Sequence, residues 1–146
     1  MKKIILIAII SFSTFYYVNA QEVGLRFGYA NYGNVAIDGI FGVGKLSRIH
    51  GDVSFGNNSV GIDALWDFIN KPLGAEAFTW YAGVGPYMRI GDPFYLGVMG
   101  ELGLEYHFNE VPIACGFDWR PGVSIVQSTN FFADSFGFNV RYVFGK

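Results

Sequence analysis

The chain has 146 residues and a formal net charge of -2; 15% of its residues are charged, 51% are hydrophobic, and it contains 20 glycines and 15 phenylalanines. This length corresponds to one domain, the charge excludes a basic nucleic-acid-binding surface, and the single cysteine, Cys115, excludes an internal disulfide or a cysteine metal cluster. The many aromatic residues are strand formers, and the many glycines allow tight packing.

The N-terminal segment has the layout of a secretory signal. Lys2 and Lys3 precede an apolar run over residues 4–10, and a polar and aromatic stretch follows that ends with the small residue Ala20 at the expected cleavage site. We therefore predict a cleavable signal peptide over residues 1–20 and one domain over residues 21–146. After the signal no apolar run reaches the ~18 residues of a membrane helix, so a membrane crossing would require strands.

Apolar side chains then recur at every second position. The clearest stretch covers residues 94–108, where the even positions are apolar or glycine and the odd positions hold every charge. This period of two is typical of a β-strand whose faces meet different surroundings. The same alternation predicts eight strands, over residues 22–29, 34–43, 48–55, 60–68, 80–89, 94–108, 113–120 and 136–144.

The predicted strands are joined mostly by short turns rich in glycine, asparagine and proline. Residues 70–74 are expected to end the fourth strand. Pro86 predicts a bulge in the fifth strand, because proline cannot donate a ladder hydrogen bond. The longest connection covers residues 121–134, and we expect it to offer a surface-binding loop through Phe131 and Phe132.

The charged residues all avoid the apolar parity. Outside the signal there are 20 of them: 13 share the parity of most glycines, and the other seven fall in turns or at the end. A surface facing lipid should show this pattern, because an Arg or Lys at the bilayer midplane costs roughly 2–4 kcal/mol. The predicted polar network consists of Arg26, Asp38, Arg48, Asp52, Asp63, Asp67, Arg89, Glu101, Glu105, Asp118, Arg120 and Arg141.

Two kinds of barrel fit this alternation, and the glycines distinguish them. A soluble barrel would turn its apolar face inward, whereas an outer-membrane barrel turns it toward lipid and encloses the charges. Ten strand glycines share the charged parity and three lie on the other. Because an eight-stranded barrel has little interior space, small residues belong inside, and we predict the membrane barrel.

Aromatic residues at the strand ends agree with a membrane crossing. If the mature N-terminus lies on the periplasmic side, these residues form two rims at the depths where aromatic rings favour the membrane interface. The periplasmic rim contains Trp66, Phe68, Trp80, Tyr106, Phe108, Tyr142 and Phe144, and the outer rim contains Tyr29, Phe94, Trp119 and Phe136.

Several segments resemble a known family. These are Gly83-Val84-Gly85, residues 103–112, residues 118–122 and the closing aromatic strand. The chain resembles the small eight-stranded outer-membrane barrels of the OmpA, OmpX and PagP type, in the form common in Bacteroidetes. The resemblance implies an all-β, antiparallel, up-and-down transmembrane β-barrel in the bacterial outer membrane. It also implies insertion by the barrel assembly machinery and contact with outer-membrane lipid and lipopolysaccharide.

The leading functional hypothesis is a non-enzymatic barrel with a filled polar lumen, serving envelope structure or surface interaction, with an extracellular partner at loop 121–134. The alternatives are a lipid A-modifying deacylase or acyltransferase and a narrow channel for small solutes. His50 and His107 are the only histidines, both lie on the inward parity, and no Gly-x-Ser-x-Gly motif occurs. We therefore predict no catalytic residues, no metal and no cofactor.

Overall fold

The computed structural model describes residues 21–145 except for 31, 32, 44, 46 and 57, so the predicted signal peptide lies outside the described residues. Within this part, no helix is long and apolar enough to cross a membrane. The strands are β1 (Gln21–Ala30), β2 (Gly33–Gly42), β3 (Arg48–Gly56), β4 (Ser59–Leu73), β5 (Ala75–Ile90), β6 (Tyr95–His107), β7 (Ile113–Trp119), β8 (Gly122–Ser124), β9 (Asn130–Phe132) and β10 (Phe136–Val143).

Eight of these strands form a closed antiparallel barrel. Their order around the wall is β1, β2, β3, β4, β5, β6, β7 and β10, and β10 pairs with β1 to close the sheet. Each wall strand neighbours the strands before and after it in the chain, which is the up-and-down arrangement. The predicted all-β, eight-stranded antiparallel barrel is therefore confirmed at the level of the fold.

The hairpin between β4 and β5 is longer than the sequence predicts. The fourth strand does end within residues 70–74, but it extends as far as Leu73 and turns at Gly74, whose φ is 76°. The ladder with β3 begins at Asp67, so the described part of β4 beyond it pairs with β5 alone. Pro72 is tolerated there because one side of the strand needs no ladder donor.

A bulge interrupts the β4–β5 ladder, but not where the sequence predicts it. The register shifts between Asp67 and Ile69, which leaves Phe68 as the extra residue. The ladder keeps one register from Val60 to Asp67, on both sides of Pro86, so the predicted bulge at Pro86 is wrong. A one-residue shift exchanges the two faces of a strand, so the alternation upstream does not continue into the hairpin extension.

The long connection after β7 contains a short hairpin made of β8 and β9. β7 ends at Trp119, and β8 resumes pairing on β6 after the break at Pro121. In the described part of the chain, β9 pairs with β8 and with no other strand. The segment is therefore an extension of the barrel wall beyond the β7–β10 pair.

Glycines on the inward face lie beneath large side chains. A Cβ on Gly103 would lie 2.2 Å from Tyr81 Cζ, and one on Gly137 would lie 2.3 Å from Arg26 Cζ. On the outward face, a Cβ on Gly100 would meet nothing nearer than 3.6 Å. Since ordinary van der Waals contacts begin near ~3.4 Å, the inward face holds glycine because the lumen has no room for another carbon.

Candidate functional site

The predicted polar network lies inside the barrel. Eleven of its twelve residues are buried, and Arg89, toward the end of β5, is half-buried. Sequence reasoning left four interior partners out of the network, although all lie on the inward parity of their strands: Glu22, His50, His107 and Asn139.

One end of the network is built around the Arg26–Asp118 pair. Arg26 Nε donates to both Asp118 oxygens, at 3.0 and 3.1 Å, and Nη2 donates to Oδ1 at 2.5 Å. Asn139 Nδ2 donates to Asp118 Oδ2 at 3.0 Å, and Arg26 Nη1 donates to the Tyr29 carbonyl at 3.1 Å. Charged side chains of β1 and β7 are thereby tied together across β10, and both are fully buried.

Arg120 pairs with two aspartates in a row of three. Asp38, Asp52 and Asp63 are direct cross-strand partners on β2, β3 and β4, an arrangement that like charges make unfavourable. Arg120 follows β7, which stands opposite β3 in the barrel, and its guanidinium reaches across the lumen to Asp52 and Asp63. Its Nε also donates to Glu101 Oε2 at 2.9 Å. Arg120 thus offsets the charge of Asp52 and Asp63, while Arg141 and His50 contact Asp38.

His50 is held between two carboxylates. Its Nε2 lies 2.7 Å from Asp38 Oδ1, and its Nδ1 lies 2.9 Å from Glu101 Oε1. The ring is fully buried and also meets Tyr81 edge-on, with 5.9 Å between the ring centroids. Both nitrogens are thus engaged inside the lumen, and neither faces the outer surface.

Two further arginines connect the carboxylates toward the other end. Arg141 donates to Glu22 Oε2 at 2.8 Å and to Asp38 Oδ2 at 3.0 Å, and its guanidinium also contacts Glu105. Arg48 donates to Glu105 Oε1 at 2.9 Å. Glu105 therefore joins the two arginines.

The network ends at His107 and at Tyr81. His107 Nε2 lies 2.9 Å from Glu22 Oε1, and its side chain is 26% exposed at the mouth of the barrel. Arg48 donates from Nε to Asp67 Oδ2 at 2.7 Å, and its Cζ lies 4.5 Å from the centre of the Tyr81 ring, a cation–π contact. At this mouth, His107 is the member of the network that approaches water.

Among the side chains that the structure describes, buried carboxyl groups outnumber buried arginines, eight to four. A buried carboxylate without a partner is strongly unfavourable, so each arginine has to serve more than one acceptor. Arg48, Arg120 and Arg141 each contact at least two carboxylates. The carboxylates are Glu22, Asp38, Asp52, Asp63, Asp67, Glu101, Glu105 and Asp118, and the arginines are Arg26, Arg48, Arg120 and Arg141.

An apolar cluster occupies the lumen toward the other end. Leu65, Tyr87 and Met99 form a buried cluster, and Phe132 of β9 packs against it. The rings of Phe132 and Tyr87 meet edge-on with centroids 5.6 Å apart, and the Tyr87 hydroxyl lies 2.6 Å from Ser124 Oγ. Of the two phenylalanines expected on a binding surface, Phe132 therefore faces the lumen, whereas Phe131 is 69% exposed.

The outside of the wall is covered by exposed apolar side chains. Aromatic rings pair along it near the strand ends, as in Phe78–Tyr106 at 4.8 Å and Tyr142–Phe144 at 5.0 Å between centroids. The exposed apolar residues of the wall include Val23, Leu25, Phe27, Val35, Ile37, Phe55, Ile62, Trp66, Val84, Val98, Leu102, Leu104, Ile113, Phe117, Phe136, Phe138, Val140 and Tyr142.

Comparison with known proteins finds no family model and no curated protein that matches this chain. The functional argument therefore depends on the barrel itself, with its charged interior and apolar exterior.

Three groups bring metal-ligating atoms within 4.8 Å of one another. They are Glu22 with Glu105 and His107, Asp38 with His50 and Asp52, and His50 with Asp67 and Glu101. In every group, arginines already pair with both carboxylates. The chemistry that this arrangement supports is charge neutralisation within the barrel.

Proposed function

We propose that the chain is a small integral barrel of the bacterial outer membrane, whose apolar exterior faces lipid and whose ion pairs fill the lumen. The observation that carries this proposal is the inverted polarity of the wall, with charges buried inside and large apolar side chains exposed outside. Monomeric soluble proteins rarely expose apolar patches larger than about 300–600 Å². Here, exposed large apolar side chains occur on every wall strand.

The strand lengths support a bilayer crossing. A tilted membrane strand needs roughly 9–11 residues, and β1 and β2 have 10 each, while β4, β5 and β6 have 15, 16 and 13. β3 has 9 residues, β10 has 8 and β7 has 7, and β8 continues the line of β7 along β6. In the proposed orientation β1 begins on the periplasmic side, His107 lies at the periplasmic mouth, and the β8–β9 hairpin lies on the cell surface.

The filled interior favours a structural or surface-interaction role over transport. Arg120 spans the centre of the lumen, and the cluster around Tyr87 and Phe132 occupies its outer end. The partners in this proposal are outer-membrane lipid and lipopolysaccharide, the barrel assembly machinery during insertion, and an extracellular partner at loop 121–134.

The interior also argues against a lipid A-modifying enzyme. A lipid substrate outside the wall does not meet His50, which is buried between two carboxylates. Lipid A mass spectra from cells with and without the protein should therefore be identical. A change in acyl chains that disappears in a His50→Gln variant would instead establish the enzyme.

Membrane extraction tests the proposal directly. The full chain is produced in a Gram-negative host, the two membranes are separated on a density gradient, and the fractions are washed with alkaline carbonate. We expect the protein in the outer-membrane fraction, resistant to the wash. Recovery of folded protein in the soluble fraction would overturn the membrane assignment.

A further inference from the structure

The β8–β9 hairpin has one face toward the lumen and one away from it. Phe132 and Ser124 point inward, toward Tyr87. Val123 pairs with Val98 of β6 on one side and with Phe131 of β9 on the other. Directly paired residues share a face of a sheet, and Val98 is exposed on the outside of the wall. The outward row Val98, Val123, Phe131 thus continues the apolar exterior onto the hairpin.

The hairpin is attached to the wall. The amides of Ile125 and Val126 donate to the Leu96 carbonyl at 2.8 and 3.1 Å. At its base, Trp119 Nε1 donates to the Ala133 carbonyl at 2.7 Å. These bonds hold the hairpin against β6 and beside the outward residues of that strand.

The hairpin is uncharged, and its exposed polar residues are confined to the tip, over residues 127–130. Residues 121–133 contain no charged side chain, and Ile125 and Phe131 are 61% and 69% exposed. A short turn at the same end of the barrel differs, since Asp92 in the β5–β6 turn is exposed. Exposed apolar residues without charges are costly in water, at about 25 cal/mol per Å².

We infer that the outward face of the hairpin, formed by Val123, Ile125 and Phe131, is embedded in the lipid of the outer leaflet. This inference rests on the proposed membrane function. It assigns lipid, and not a protein, as the partner of the β8–β9 hairpin in loop 121–134. Phe131 lies in the same cross-strand row as Val98 of the wall, through Val123, and residues 121–133 carry no charge. Both observations favour lipid over a protein partner.

Site-specific quenching tests this inference. In a Cys115→Ala background, single variants Phe131→Cys, Leu102→Cys and Asp92→Cys of the full chain are labelled with an environment-sensitive fluorophore. They are folded into phosphatidylcholine vesicles. Fluorescence is then measured with a nitroxide on the lipid acyl chain and, separately, with aqueous iodide. Leu102 is an outward wall residue, and Asp92 is the exposed turn control.

We expect the label at position 131 to be quenched by the acyl-chain nitroxide within about twofold of the label at position 102, and to be protected from iodide. If position 102 is quenched by lipid while position 131 behaves like position 92, the hairpin lies in water. The inference then fails and the membrane barrel stands. If position 102 itself is open to iodide and unaffected by the lipid nitroxide, the proposed membrane function fails as well.

Discussion

The phenol ring of Tyr81 lies directly over Gly103, its cross-strand partner on β6, so that a Cβ on Gly103 would be 2.2 Å from Tyr81 Cζ. The ring in turn supports the Arg48 guanidinium, whose Cζ lies 4.5 Å from its centre. Because Gly103 has no side chain, the Tyr81 ring can lie over it and contact the Arg48 guanidinium.

A methyl group at position 103 should destabilise the barrel. We expect Gly103→Ala to lower the free energy of unfolding by about 1–3 kcal/mol, because overpacking forces Tyr81 out of place. The measurement is urea unfolding of the protein folded in lipid vesicles. Gly100→Ala is the matched control on the same strand, with 3.6 Å to the nearest atom, and should change stability by less than about 1 kcal/mol. Equal effects of the two variants would contradict a tightly filled lumen.

A charge on the outside of the wall should oppose insertion. Leu102→Arg is expected to cost roughly 2–4 kcal/mol when the protein folds into vesicles, because the guanidinium would face hydrocarbon. Leu102→Phe keeps the surface apolar and should fold like the parent chain. The readout is the fraction folded at each urea concentration, and a Leu102→Arg variant as stable as Leu102→Phe would place that surface in water.

The Arg26–Asp118 pair should show strong coupling. Arg26→Met leaves a buried carboxylate without its main partner and should cost about 3–5 kcal/mol. Adding Asp118→Asn removes the isolated charge and should restore part of the loss. A double-mutant cycle by urea unfolding measures the interaction, and additive effects of the two changes would show that the pair contributes no interaction energy.

Ion conductance tests the filled lumen. In planar bilayers the full chain should give no steps above the baseline, since ion pairs cross the centre and the Tyr87 cluster occupies the outer end. Reproducible conductance steps that change size in Arg120→Ser would establish a path along the axis. Steps that persist unchanged in this variant would point to defects around the barrel.

The parity of the residues predicted which face of each strand turns inward, and hence the buried set that includes Arg26, Asp52 and Arg141. It did not predict the pairs. Arg120 reaches Asp52 across the lumen because strand tilt and stagger bring the two to one level, and a period of two carries no information about stagger.

Two local features also escaped the pattern. The extra residue at Phe68 changes the parity of β4, so the long β4–β5 hairpin is not visible as alternation. Phe131 and Phe132 are adjacent and equally apolar, and only the pairing of β9 with β8 decides which ring enters the lumen. His50 and Glu22 lie on the inward parity, which is the signal that would have added them to the network.

The ion pairs join parts of the chain that are far apart: 92 residues separate Arg26 from Asp118, and 119 separate Glu22 from Arg141. Glu22 and Arg141 also lie on β1 and β10, the first and last strands of the wall, whose pairing closes the barrel. In the proposed membrane barrel, a sheet that entered the bilayer before β10 paired with β1 would expose the unpaired charges of Glu22 and Arg141 to hydrocarbon. We therefore expect insertion and closure to occur together, because an inserted sheet that is not yet closed would be electrostatically unfavourable.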